Sequence, residues 1–373
     1  MRLTNLGAAL VGVALALGLT ACAPATPTTA TSGVGAGAPV IGVSLPTEAG
    51  DRWKSDGAHL AEVLTGRGYQ PDLQFADGTS AGQISQIKDM IKEKVKALVI
   101  APVDGAALAS VLKNAADAGI TIIAYDRLIT GTANVDYYVA FDSDGAGRLQ
   151  AQYIEDVLNL KNGATGPFNL EVFAGSPDDA TAKLRFAGAY DILKGYIDSG
   201  VLACPSDTCP ASADKWTDVA IAGGDSAKAQ AEMAQRLSSS YSGDARVDIV
   251  LGSNDSVALG IQQALDGAGY TVGGGYPILT GAGADKANVQ AVIDGKQSMT
   301  VWEDTRKLGD EVATVLDQVI KGTTVDADGT GTTNNGTKDV PSYLLPPQAV
   351  TKATVGMLFD SSVYQRSDFT GLS

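Results

Sequence analysis

The residues of this 373-residue chain best suited to chemistry are charged and amide side chains that follow short apolar runs. Leu45 leads into Pro46-Thr47-Glu48 and then Arg52-Trp53, Ile100 into Ala101-Pro102-Val103-Asp104, and Tyr125 into Asp126-Arg127. Later, Phe141 leads into Asp142-Ser143, Ala174 into Gly175-Ser176-Pro177-Asp178-Asp179, and Leu251 into Gly252-Ser253-Asn254-Asp255. Carboxylates, an Arg fork and amides suit the recognition of hydroxyl groups, because planar groups bond them in pairs. Trp53 adds a flat apolar face.

Each of these residues also has an ordinary use. Asp, Asn and Ser after a strand cap helices, and capping is the better reading of Asp104, Asp144 and Asp255, each of which precedes a helical pattern. Asp142 and Asn254 stay open between capping and binding. Asp126-Arg127 is the strongest candidate, since a charged pair directly after a buried strand is costly without a ligand or partner. A structural ion pair is the alternative there. Trp53 on its own fits a packing residue equally well.

Catalysis has little support. Asp178-Asp179 and Glu303-Asp304 are paired carboxylates, and glycoside hydrolysis needs two, but neighbours on a strand point to opposite faces and loop pairs have no fixed separation. The one His, His59, has no nucleophile to assist, and neither Gly223-Gly224 nor Gly273-Gly274-Gly275 makes a phosphate loop. No metal-ligand cluster is spaced in the sequence, so neither an enzyme, a metal nor a cofactor is expected. With 27 basic and 42 acidic residues the net charge is −15, which argues against nucleic acid as a partner.

The elements that must position these residues are legible as alternation. Val40-Ile41-Gly42-Val43-Ser44-Leu45, Ala97-Leu98-Val99-Ile100, Thr121-Ile122-Ile123-Ala124-Tyr125, Leu170-Glu171-Val172-Phe173 and Val247-Asp248-Ile249-Val250-Leu251 read as strands. Several are apolar on successive residues, as strands covered on both faces must be. Between them Ile84, Ile87 and Ile91, then Leu108, Val111, Leu112 and Ala115, then Leu308, Val312, Val315, Leu316 and Val319 mark helical faces. This pattern predicts an α/β fold with parallel, doubly wound sheets, whose ligands sit beyond the carboxyl ends of the strands.

The N-terminus reads as an export signal. Arg2 precedes an apolar run over 6–19 that is too short to span a bilayer comfortably, and it ends in Leu19-Thr20-Ala21-Cys22. A Cys after Leu-x-Ala resembles the lipobox of bacterial lipoproteins, so 1–21 is the expected signal peptide and Cys22 the expected lipidated residue. Residues 23–38, rich in Ala, Thr, Pro and Gly, predict a flexible tether that brings 22–38 together as an anchor. Export permits oxidation, so Cys204 and Cys209, with four residues between them in a loop-like stretch, are the expected disulfide. About 335 residues follow the tether, which predicts two lobes. The stretch 323–337, rich in Thr, Gly, Asp and Asn, predicts a surface loop with a hairpin at Asn335-Gly336.

Taken together, Ile41-Gly42-Val43-Ser44-Leu45-Pro46-Thr47 with Arg52-Trp53, Ile123-Ala124-Tyr125-Asp126-Arg127-Leu128-Ile129, Phe141-Asp142, Ala174-Gly175-Ser176-Pro177-Asp178-Asp179, Asp304-Thr305-Arg306 and Val340-Pro341-Ser342-Tyr343-Leu344-Leu345 resemble the xylose- and multiple-sugar-binding receptors of bacterial ABC importers. The resemblance runs from about residue 40 to the C-terminus. It implies two Rossmann-like lobes joined by three crossovers, closing on a sugar-like ligand. It also implies a monomeric receptor that delivers the ligand to a permease and its ATPase, outside the cytoplasm and tied to the membrane by Cys22. By resemblance, Arg52, Trp53, Asp126, Arg127, Asp142 and Asn254 contact the ligand. The expected lobes are 39–141 plus 282–301 and 142–281 plus 302–351, with 352–373 a C-terminal segment and Gly281 and Gly283 as possible hinge points. A chemosensory receptor without a transporter is the alternative function. A DNA-binding regulator of the same fold would carry a basic helix-turn-helix where this chain has a signal and tether.

The departures from that family pattern concern ligand positions. Two Asn are replaced by Ala180 and Thr181, an Asp by Gly283, an Asn by Ser143 and a Lys by Glu303. They predict a wider, more negative site for a larger or partly cationic polyol or sugar derivative with Glu303 as counter-charge, or else a Glu303 turned to solvent.

Overall fold

A computed structural model describes residues 37–49, 51–323 and 331–372. The signal, Cys22 and the tether up to residue 36 lie outside the described residues.

The chain opens with β1 (Val40–Leu45), α1 (Asp51–Gly66), β2 (Gln70–Phe75), α2 (Ser80–Lys92), β3 (Ala97–Ile100), α3 (Ala109–Asp117), β4 (Thr121–Tyr125) and β5 (Tyr137–Phe141). Next come α4 (Ser143–Val157), β6 (Phe168–Phe173), α5 (Ala180–Asp198), β7 (Leu202–Ala203), α6 (Ser226–Ser240), β8 (Ile249–Gly252), α7 (Asp255–Gly267), β9 (Ile278–Ala282), α8 (Lys286–Asp294) and β10 (Met299–Trp302). The chain ends with α9 (Thr305–Lys321), β11 (Gly331–Asn334), β12 (Asp339–Leu345), β13 (Gln348–Thr351) and α10 (Gly356–Asp360). Two sheets result, in the orders β11-β12-β5-β4-β3-β1-β2 and β13-β10-β9-β8-β6-β7. All pairings are parallel except β11 with β12 and β10 with β13. The strand cores are apolar on both faces, as in β3 and β8, where every residue is buried, because helices cover each side of the sheet.

The chain passes between the sheets at three places: from β5 to α4, from β10 to α9, and from β12 to β13. This corrects the expected lobe boundaries. Segment 282–301 stays in the second sheet, since β10 pairs with β9 in parallel and with β13 antiparallel. Conversely, 302–351 is split. The apolar stripe Leu308, Val312, Val315 and Leu316 of α9 is buried against Ile41, Val43, Leu60 and Val139 of the first lobe, and β12 pairs with β5. The hairpin β11–β12 turns at Asn335-Gly336 as expected. The C-terminal segment belongs to the second lobe, where Leu358 and Phe369 cluster with Val289, Ile293 and Trp302. Gly281 and Gly283 therefore lie inside the second lobe and not in a crossing segment. At Gly281 a Cβ would come within 2.3 Å of Asp255 Oδ1, so the residue serves close packing.

Cys204 and Cys209 are joined, with Cα atoms 6.0 Å apart. Their loop closes over a buried charge. Glu171, fully buried in β6, accepts hydrogen bonds from Ser206 Oγ at 2.6 Å, Tyr241 Oη at 2.6 Å and Arg236 Nη1 at 3.0 Å.

Candidate ligand-binding site

A cavity of about 900 Å3 opens between the carboxyl ends of the two sets of strands, where doubly wound sheets hold their ligands. The first lobe contributes Arg52, Trp53, Asp104, Asp126 and Arg127 to its lining; the second contributes Asp178, Asp179, Thr181, Arg185 and Asn254, and Glu303 stands on a crossing segment.

On the first wall the charges are held by one another. Arg52, in the first turn of α1, donates from Nε to Asp56 Oδ2 at 2.9 Å and from Nη2 to Asp126 Oδ1 at 2.8 Å. Burial opposes the charge on Arg52, but Asp126 and Asp56 outweigh it and raise its pKa. Asp126 has φ +60°, and Arg127 N donates to Tyr125 O at 2.6 Å across it. That i→i+2 bond around a left-handed residue is the positive-φ γ-turn, a strained conformer that recurs where side chains must be aimed at ligands. Asp126 is held in it by its own N–H to Val139 O at 2.8 Å and by Tyr138 Oη donating to its carbonyl at 3.0 Å. Arg127 donates to Pro102 O at 3.3 Å, and the guanidinium carbons of Arg52 and Arg127 each lie 5.1 Å from the Trp53 ring centroid. Trp53, buried but still lining the cavity, is thus a support for both arginines through cation–π contact as well as a wall.

On the second wall two expected residues separate. Asp142 caps α4 by accepting from Gly145 N at 2.9 Å, and it does not line the cavity, although Phe141 and Ser143 on either side do. The contact it makes is the one a carboxylate at the N-terminus of a helix ordinarily makes, to a first-turn N–H. Asn254 does both jobs. Its Oδ1 caps α7 by accepting from Val257 N at 2.9 Å, while the residue also lines the cavity.

The residues expected to be caps turn out otherwise. Asp104 accepts from Ala106 N at 2.9 Å in the turn ahead of α3 and lines the cavity, and Asp144 pairs with Arg148 at 2.7 Å on the surface of α4. Asp255 is buried beneath the site. It accepts from Thr300 Oγ1 at 2.8 Å, Gln297 Nε2 at 3.1 Å and Asp285 N at 2.9 Å. Burial pushes its carboxyl up to about 7 against the pull of those three donors. It ties the start of α7, and so Asn254, to β10 and α8.

Helix α5 supplies a cation that sequence reasoning missed. Asp179 caps it, accepting from Thr181 N at 2.9 Å, and one turn beyond Thr181 Arg185 reaches the cavity, its Nη2 3.7 Å from Glu303 Oε1. The available signal was the i,i+4 spacing of Thr181 and Arg185 on one helical face. Small residues fix the helix: a Cβ on Gly147 of α4 would fall 1.8 Å from Arg185 O, and one on Gly188 would fall 2.1 Å from Asp144 O. Glu303 is not turned to solvent, for its side chain keeps 24% of its exposure and burial raises its pKa against the attraction of Arg185. Of the expected ligand residues, Arg52, Trp53, Asp126, Arg127, Asn254 and Glu303 come together around the cavity, and Asp142 stands outside it. Among the described residues no group of His, Cys, Asp and Glu is placed to hold a metal ion.

A family model described as a periplasmic binding protein domain matches residues 41–324. The chain belongs to the periplasmic binding protein family. It is similar to the multiple sugar-binding periplasmic receptor ChvE of Rhizobium radiobacter, with 43% identity over 88% of this chain and 91% of that one. It is also similar to the D-xylose-binding periplasmic protein of Escherichia coli, with 33% identity over 84% and 87% of the two chains. Among solved structures, an ABC transporter solute-binding protein from Clostridium phytofermentans with bound β-D-glucose superposes with a TM-score of 0.77 at 41% identity, covering 88% of this chain and 99% of that one. The family is extracytoplasmic, and its members bind solutes without catalysing reactions on them.

Proposed function

We propose that this periplasmic binding protein is the lipid-anchored receptor of an ABC importer, binding one neutral monosaccharide between its lobes and delivering it as a monomer to a permease driven by an ATPase. The observation that carries the reading is the facing of Arg52, Asp126 and Arg127 on one wall by Asn254, Arg185 and Glu303 on the other. Donors and acceptors of both kinds on both walls match a ligand covered in hydroxyls, which both donate and accept. The glucose-bound relative at 41% identity and the sugar receptors at 33–43% support the ligand class. A cavity of about 900 Å3 is at the roomy end of small-molecule sites, as suits a cleft that narrows by hinge closure around its ligand. Because Arg185 supplies Glu303 with a counter-charge, a cationic ligand is not required to balance the site.

Calorimetry and thermal shift of the exported domain against neutral pentoses, hexoses, polyols and amino acids test the proposal. At least one neutral monosaccharide is expected to bind one-to-one and, at a hundred times its Kd, to add about 2.7 kcal/mol of stability. Failure of every neutral sugar, with saturable binding of another solute class, would refute it.

The anchor rests on Leu19-Thr20-Ala21-Cys22. A Cys22→Ser variant expressed in a bacterial host should move from the membrane pellet to the soluble extracytoplasmic fraction, because stable anchoring needs more than one acyl chain and all of them are added at that residue. Unchanged membrane association of Cys22→Ser would rule the anchor out.

A further inference from the structure

Arg185 and Glu303 approach each other without bonding. The 3.7 Å between Arg185 Nη2 and Glu303 Oε1 exceeds hydrogen-bond length, and both Glu303 Oε1 and Arg185 Nε are buried without a hydrogen-bond partner. Leaving a charged donor and a charged acceptor unsatisfied is costly in a native interior. Those two atoms are out of reach of solvent as they stand, but both side chains line the cavity, so a bound group that draws the guanidinium and the carboxylate toward it would satisfy the two at once. The chemistry of that group is constrained. It must accept from a guanidinium and donate to a carboxylate. A hydroxyl does both. An ammonium can only donate and meets the charge of Arg185, whereas a carboxylate can only accept and meets the charge of Glu303.

We propose that Arg185 and Glu303 form a hydroxyl clamp that selects neutral polyhydroxy ligands and rejects both amino sugars and sugar acids. The proposal rests on the sugar-receptor reading above and names the residues that set its specificity. Each partner screens the other, so the clamp is neutral as a pair although each half is charged. Removing one half therefore changes the sign of the site and not merely its strength. Arg185→Met leaves an uncompensated carboxylate that favours an ammonium, and Glu303→Gln leaves an uncompensated guanidinium that favours an acid.

The test is calorimetry of wild type, Arg185→Met, Glu303→Gln and the exchanged pair Arg185→Glu/Glu303→Arg. The probes are D-glucose, D-galactose and D-xylose, the 2-amino and 6-amino derivatives of the two hexoses, and their uronates; melting curves confirm that each variant folds. Wild type is expected to prefer a neutral sugar over its charged derivatives. Each single variant should lose about 10-fold to 100-fold in affinity for that sugar, the scale of a hydrogen bond to a charged group. Arg185→Met should shift preference toward the amino derivative, Glu303→Gln toward the uronate, and the exchanged pair should recover part of the neutral preference. Neutral-sugar binding that changes less than 2-fold in both single variants, or a wild type that prefers an amino derivative, would overturn the clamp while leaving the receptor reading intact. A wild type that binds none of the sugars, neutral or charged, would remove the receptor reading and the clamp with it.

Discussion

An Asp126→Ala variant is expected to bind a neutral monosaccharide about 10-fold to 100-fold more weakly than wild type while remaining folded. The carboxylate does two things that Ala cannot. It is aimed into the cavity from a residue held at φ +60°, and it fixes Arg52 through a 2.8 Å bond. The pair is only partly covered in the open cleft, where the Arg52 side chain keeps 45% of its exposure, so the loss is that of a hydrogen bond to a charged group that the ligand covers, about 1.5–3 kcal/mol or roughly 10-fold to 100-fold. Arg52 retains Asp56 as a partner at 2.9 Å, so the wall itself is not left with an orphaned cation. The measurement is calorimetry with whichever neutral sugar binds wild type, alongside a melting curve. Asp126→Gly separates strain from chemistry, since it should also lose binding yet relieve the left-handed backbone and melt no lower than the Ala variant. An Asp126→Ala protein within about 3-fold of wild-type affinity would mean that the first wall is not the site.

The largest effect on stability is expected away from the cleft. Arg236→Met should cost about 3–5 kcal/mol, because it strands Glu171, fully buried in β6, without a cation. Three neutral hydroxyls, on Ser206, Thr208 and Tyr241, would remain on that carboxylate. They stabilise an anion but do not neutralise it. Replacing both charges, as Glu171→Leu/Arg236→Met, should recover most of the loss, since a buried ion pair is often no better than an apolar pair of similar volume. Urea unfolding followed by circular dichroism reads both values, with the disulfide kept oxidised. A single variant within about 1 kcal/mol of wild type would contradict the buried pair.

Much of the first wall was legible because its signals are local. Asp126-Arg127 follows a strand of five apolar or small residues, and a charged pair in that place has few structural explanations. The second wall was less legible. Asp142 and Asn254 look alike in sequence, each a polar residue after a strand and before a helix, and both do cap. Which of them also faces the cavity is decided by how the two lobes meet, and no short-range pattern encodes that. Arg185 was hidden for a related reason: on α5 it reads as one more charged surface residue, and only the close approach of α4 and α5 through Gly147 and Gly188 turns it toward Glu303. The strand and helix alternation was sufficient for the fold class. It was insufficient for the lobe boundaries, because the stripe on α9 fits either sheet equally well and is assigned only by packing on β1, α1 and β5.

A crystal structure of the exported domain grown with the neutral monosaccharide that binds most tightly tests the central claim most directly. The account predicts one sugar ring in the interlobe cavity, its hydroxyls within hydrogen-bond distance of Asp126 and Arg127 on one side and of Asn254 and the Arg185–Glu303 pair on the other. A sugar bound elsewhere on the molecule, or one that touches a single lobe only, would contradict it.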